Sequence, residues 1–74
     1  MDDKLKKILS EVLEIDEAKI DKSYELDAEN NWDSLAVLSV ISMIDDEYSI
    51  ELDGDDIALC ETASELQDLI IANS

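Results

Sequence analysis

Seventy-four residues, 46 % of them apolar and none of them proline or histidine, suit one small domain (residues 1–74) with a thin core rather than a disordered acidic tail. Twenty-one acidic residues face five lysines and no arginine, a net charge of −16, which repels nucleic acid and anionic membranes and favours basic protein surfaces. Without histidine neither a Ser-His-Asp nor a Cys-His pair can form, and the single cysteine, Cys60, leaves no internal disulfide or common zinc site and points to a reducing compartment.

Leu5, Ile8, Leu9, Val12 and Leu13 recur at i, i+3, i+4, i+7 and i+8, one face of a first helix over roughly residues 3–14. Asp16 to Asp21 fits a brief helical turn with Ile20 pointing inward. No period holds from Ser23 to Trp32, where Asp27, Asn30 and Asn31 mark a long connecting loop pinned to the core by Tyr24, Leu26 and Trp32. A second helix opens at Asp33-Ser34 and runs to about Tyr48. At about 100° per residue, Val37, Val40, Ile41, Ile44 and Tyr48 share its core arc. Leu35, Ser39, Ser42 and Asp46 fall on the outward arc, flanked by Ala36 and Met43.

Ile50-Glu51-Leu52 alternates as an extended link, and a short third helix fits about residues 55–59, capped by Asp53 or Asp55. Thr62-Ala63-Ser64-Glu65 is a capping box, and Leu66, Leu69 and Ile70 give the buried face of the helix it opens. The expected fold is therefore all-α, a small four-helix bundle with a long loop between helices 1 and 2 and a short third helix. The N-terminus lacks a signal-peptide pattern. The most apolar stretch, Leu35 to Ile44, is half the roughly 20 residues a membrane span needs. A cytoplasmic monomer is the expectation.

Two carboxylate readings fail to become sites. Paired-carboxylate acid/base chemistry has the residue types available but, in so small a bundle, no expected cleft. Placing Gly54 at the glycine of a calcium loop puts Ser49, Glu51, Asp53 and Asp55 at ligand positions, but the closing bidentate glutamate would have to be Cys60. Metal and catalytic residues are therefore both expected to be none.

Asp33-Ser34-Leu35 by itself is an ordinary helix cap. Its setting is less ordinary: it follows an amphipathic helix and a long loop, and it opens the second of four helical segments in a histidine-free, strongly acidic chain. Together with the Leu5–Leu13 stripe, Asp45-Asp46-Glu47-Tyr48, Ile50-Glu51-Leu52, the acidic run Asp53 to Asp56 and Thr62-Ala63, this motif resembles the acyl carrier protein family over nearly the whole chain. The resemblance implies that a phosphopantetheinyl transferase moves a phosphopantetheine arm from coenzyme A onto Ser34. The arm's thiol would then hold acyl or aminoacyl groups as thioesters for client enzymes, and the carrier itself would not be an enzyme. It also implies a partner surface around the arm, here Asp33, Leu35, Ala36, Ser39, Met43, Asp45, Asp46 and Glu47.

The chain departs from the family pattern in two ways. Asn30-Asn31-Trp32 stands where a glycine-containing stretch usually precedes the serine, in a longer loop. Ala36 and Ser39 stand where carriers of primary fatty acid biosynthesis usually carry acids. The second departure suggests a specialised carrier serving a dedicated pathway, such as surface polysaccharide, secondary metabolite or amino-acyl transfer chemistry, rather than primary fatty acid biosynthesis. The alternatives are an unmodified acidic module that binds a basic partner and a carrier-like fold that is never loaded.

Overall fold

Each helix starts from a capping side chain one residue ahead of it. In the computed structural model, which describes residues 2–74, Asp2 accepts from the Lys4 N–H at 3.0 Å and opens α1 (Asp3–Leu13). Asp33 accepts from the Ala36 N–H at 2.9 Å and opens α2 (Ser34–Tyr48). Asp53 accepts from the Asp55 N–H at 2.9 Å and opens α3 (Gly54–Ala58), one residue earlier than the sequence suggests. Thr62 opens α4 (Ala63–Ala72) with the capping box complete: the Glu65 N–H reaches the Thr62 hydroxyl at 3.3 Å, and the Glu65 carboxylate accepts from the Thr62 N–H at 3.0 Å. Each such cap supplies an acceptor for a backbone donor that the helix cannot satisfy itself.

α1 ends close to where its sequence promises, without a glycine. Glu14 takes φ 56°, a left-handed turn, and the Ile15 N–H closes back on the Ser10 carbonyl at 3.1 Å. α1 packs on α2, and α2 on α3. Leu5, Ile8, Leu9 and Leu13 from α1 join Leu66 and Ile70 from α4 in one core cluster, with Ile57 of α3 wholly buried among them.

The loop between α1 and α2 is better ordered than its lack of periodicity suggests. Short 3-10 turns form at Glu17–Lys19 and Ala28–Asn30. Between them, residues 22–26 run antiparallel to residues 61–64. The Leu26 N–H donates to the Glu61 carbonyl at 2.9 Å, the Ala63 N–H to the Tyr24 carbonyl at 3.0 Å, and the Ser64 N–H to the Lys22 carbonyl at 3.0 Å. Ile20, Leu26 and Trp32 are buried and Tyr24 is half-buried, so the pins act as expected.

α2 is rotated from its expected setting. Its fully covered stripe is Ala36, Val40 and Ile44, at i, i+4 and i+8. Val37 and Ile41 lie on the α3 side, where both approach Gly54. Met43 lies on the α1 side, lining a shallow hollow with Lys4, Lys7 and Ile8. Two members of the expected partner surface are therefore displaced. Ala36 is buried, only 7 % exposed, and Met43 is half-buried against the core. The physical reason is that α2 contacts helices on both flanks, so its apolar arc is wider than one stripe and its centre lies between the two contacts.

Candidate functional site

The segment leading to Ser34 is built from asparagine and aspartate rather than glycine. Asp27 accepts from the Asn30 N–H and from the Asn30 side-chain amide, both at 3.1 Å, and that amide also donates to the Glu25 carbonyl at 3.0 Å. Asn31 then turns with φ 64°. Asparagine is the residue other than glycine that most readily takes this left-handed conformation, which explains how the chain dispenses with glycine here. The Trp32 N–H returns to the Asp27 carbonyl at 3.0 Å, and Asp33 is extended, so α2 begins abruptly at Ser34.

Ser34 is exposed in the first turn of α2. The Ala36 N–H is taken by the Asp33 carboxylate and the Val37 N–H by the Asp33 carbonyl at 3.0 Å, which leaves the Ser34 and Leu35 N–H groups at the open end of the helix. Those donors and the positive end of the helix dipole make the position favourable for a phosphate ester. Other serines differ: the Ser23 hydroxyl donates to Asp21 at 2.9 Å, and Ser39 and Ser42 lie further along α2, past its free N–H groups.

Two large apolar side chains flank Ser34 in solvent. Leu35 is 75 % exposed, as the helical arc implies, and Leu38 is 62 % exposed. Leu38 escaped the sequence reading, although its i+4 spacing from Ser34 is a legible sign that the two share a face. Ser39 is exposed beside them, and Asp45, Asp46 and Glu47 are exposed at the other end of α2. The site residues thus form an apolar patch of Leu35 and Leu38 beside Asp33 and Ser34, and a separate acidic end.

An open groove of about 500 Å3 runs from Ser34 between α2 and α3, lined by Trp32, Val37, Leu38, Ile41 and Ala58 together with Asp33, Gly54 and Asp55. The small bundle therefore has a cleft that its size did not lead one to expect. Gly54 sits where a Cβ would meet Ile41 Cδ1 at 3.3 Å and Val37 Cγ1 at 3.9 Å, so a side chain there would press into this crevice. Trp32 is 8 % exposed, and its indole Nε1 is covered without a hydrogen-bond partner.

Among the described residues, no group of three or more carboxylate or thiol side chains converges as a metal cage. Asp53 spends its carboxylate on capping α3 instead. Cys60 is buried, and burial first, then Glu65 and Asp56, push its thiol up to about 11, so it stays protonated and unreactive at neutral pH. Neither group offers chemistry near Ser34.

An exposed serine at a helix start, with free backbone N–H groups and an apolar groove beside it, is a geometry suited to carrying a phosphate ester. The class is a non-catalytic carrier domain. A family model described as a phosphopantetheine attachment site matches residues 3–70, and the chain belongs to that family. It is a carrier that bears covalent phosphopantetheine and works with a phosphopantetheinyl transferase and partner enzymes. Neither a curated protein nor a solved structure matches the chain. The residues present fit the prosthetic group: the helix-end N–H groups suit its phosphate, the apolar groove suits its methyl-bearing chain, and the partnerless Trp32 N–H suits an amide oxygen.

Proposed function

We propose that Ser34 carries the phosphopantetheine arm, and that the arm's terminal thiol holds acyl or aminoacyl intermediates as thioesters for presentation to client enzymes in the cytoplasm. The observation that carries this reading is the position of Ser34: exposed, at the first residue of α2, beside two free backbone N–H groups and an apolar groove. When bound, the group supplies a thiol for thioester exchange. The protein's own residues present and position it, and client enzymes bring the acids, bases and nucleophiles, in keeping with a chain that lacks histidine. Among the described residues no helix is long and apolar enough to cross a membrane.

Leu35 and Leu38 act as apolar anchors against client enzymes, with Ser39 beside them and the carboxylates of Asp33, Asp45, Asp46 and Glu47 steering basic surfaces toward α2. The uncharged Ser39 favours a dedicated pathway over primary fatty acid biosynthesis. Ala36 adds little to that distinction, because its side chain is covered.

Thioester carriage is tested by loading the chain from acyl-coenzyme A with a broad-specificity transferase and treating it with neutral hydroxylamine. The wild-type chain should release its cargo as a hydroxamate and keep the arm, and Ser34→Ala should yield none. Cargo that resists hydroxylamine would rule out a thioester.

A further inference from the structure

Trp32 is the only tryptophan in the chain, and its ring closes one wall of the groove that starts at Ser34. Buried indole N–H groups usually find an acceptor, because leaving one unpaired forfeits the hydrogen bond it made to water. Here the donor is covered and has none. A phenylalanine would fill an apolar site of this kind without stranding a donor. An indole N–H can only donate, so the group that would satisfy it is an acceptor; Val37, Leu38, Ile41 and Ala58 of the groove offer no side-chain oxygen, and the oxygens of Asp33, Ser34 and Asp55 in the same lining do not bond to the indole.

An acceptor brought from outside would supply the bond that the lining does not make, and Trp32 stands two residues from Ser34. The pantetheine arm carries two amide carbonyls, each an acceptor within an otherwise largely apolar chain. We propose that the indole N–H of Trp32 donates to an amide carbonyl of the arm and holds the arm folded into the α2–α3 groove, with Trp32 as a positioning residue. The proposal rests on Ser34 as the attachment site. In the arm-free chain the N–H is covered, so the arm must displace a neighbouring side chain to reach it. Leu38 also lines the groove and is 62 % exposed, so little packing holds its side chain in place. Gly54 belongs to the same device, since a methyl at that position would approach Ile41 Cδ1 to 3.3 Å and fill the crevice the arm needs.

The test uses the indole proton–nitrogen resonance of Trp32 and an arm labelled with carbon-13 at both amide carbonyls, with intact mass confirming the load. In the arm-free chain the indole proton should resonate upfield, as an unpaired donor does, and loading should move it downfield. One arm carbonyl should be displaced from its position in free pantetheine. In loaded Trp32→Phe with unchanged helical circular dichroism, that carbonyl should return to the free position, and loaded Gly54→Ala should show the same release. An indole already downfield before loading would mean that trapped water satisfies it, and the proposal fails. It also fails if the mass rises but both carbonyls stay at their free positions, or if the displacement persists in Trp32→Phe. A mass that does not rise overturns the attachment reading itself, which separates the two failures.

Discussion

Tyr48, at the end of α2, places its hydroxyl 2.7 Å from the carboxylate of Asp2, the same carboxylate that caps α1. The Asp2 backbone N–H donates to Gln67 of α4 at 3.0 Å, so one residue ties three helices together. The Tyr48 hydrogen bond, reinforced by the Lys4 N–H, holds the Asp2 carboxyl below its ordinary value of 3.8. Burial and then Asp2 push the Tyr48 hydroxyl well above its ordinary 10.0. Cys60 is raised from 9.0 to about 11. Above about pH 9 the unfolded chain releases a thiol proton that the folded chain keeps, so stability falls as pH rises through about 9 to 11, and Tyr48 continues the loss from pH 10 upward. On the acid side, the contribution of Asp2 is present above its ordinary value and is lost as pH falls below about 3.8. Urea midpoints measured between pH 7 and 11 should fall beyond pH 9, and Cys60→Ala should flatten the lower part of that fall. Identical curves for the two chains would show that Cys60 is more accessible than its burial implies.

Among the elements, α4 was the most legible, because a capping box is written entirely in local sequence: Thr62 and Glu65 need only each other and the helix start between them. Thr62→Ala removes that acceptor and should cost about 1 kcal/mol, read as a lower urea midpoint with an unchanged slope. A negligible change would mean that the backbone pairing of residues 22–26 with 61–64 fixes the helix start unaided. That pairing was illegible for a physical reason: it joins N–H and C=O groups, which every residue has, across nearly forty positions of sequence. α2 was legible in extent but not in rotation. Its helical period identifies an apolar arc, yet the arc's centre depends on which helices lie to either side, and so the period sets Ala36 outward where the fold buries it. The Asp33-Ser34 start was readable as a cap, whereas the groove beside it was not, since Trp32 and Gly54 meet α2 only through the fold.

Over the whole molecule the lysines and the acids are unevenly placed. All five lysines lie before Ser23, and the fourteen acids from Ser23 onward share their part of the chain with no basic residue. Lys4 lies 5.8 Å from the centre of the Tyr48 ring and so partly answers the α2 terminus. The radius of gyration is 10.8 Å, so many of these carboxylates lie within about a Debye length of one another in ordinary buffer. Their repulsion opposes the folded state more than the expanded one. Sodium chloride should therefore raise the melting temperature, and magnesium should raise it further at equal ionic strength by accumulating on the folded surface. Melting that ignores both salts would show that the repulsion survives equally in the unfolded chain. The same charge leaves the Ser34 end of α2 as an apolar island on an acidic body, suited to basic enzymes that must engage and release quickly.

The central claim is that one serine, fixed at the head of α2, carries the arm. Incubating the chain with coenzyme A, magnesium and a broad-specificity phosphopantetheinyl transferase, then fragmenting the product by mass spectrometry, reads it directly. The account predicts a gain of one phosphopantetheine, carried on the fragment containing Ser34 and absent from Ser34→Ala. A gain placed on Ser23, Ser39 or Ser42, or no gain with several transferases, would contradict it.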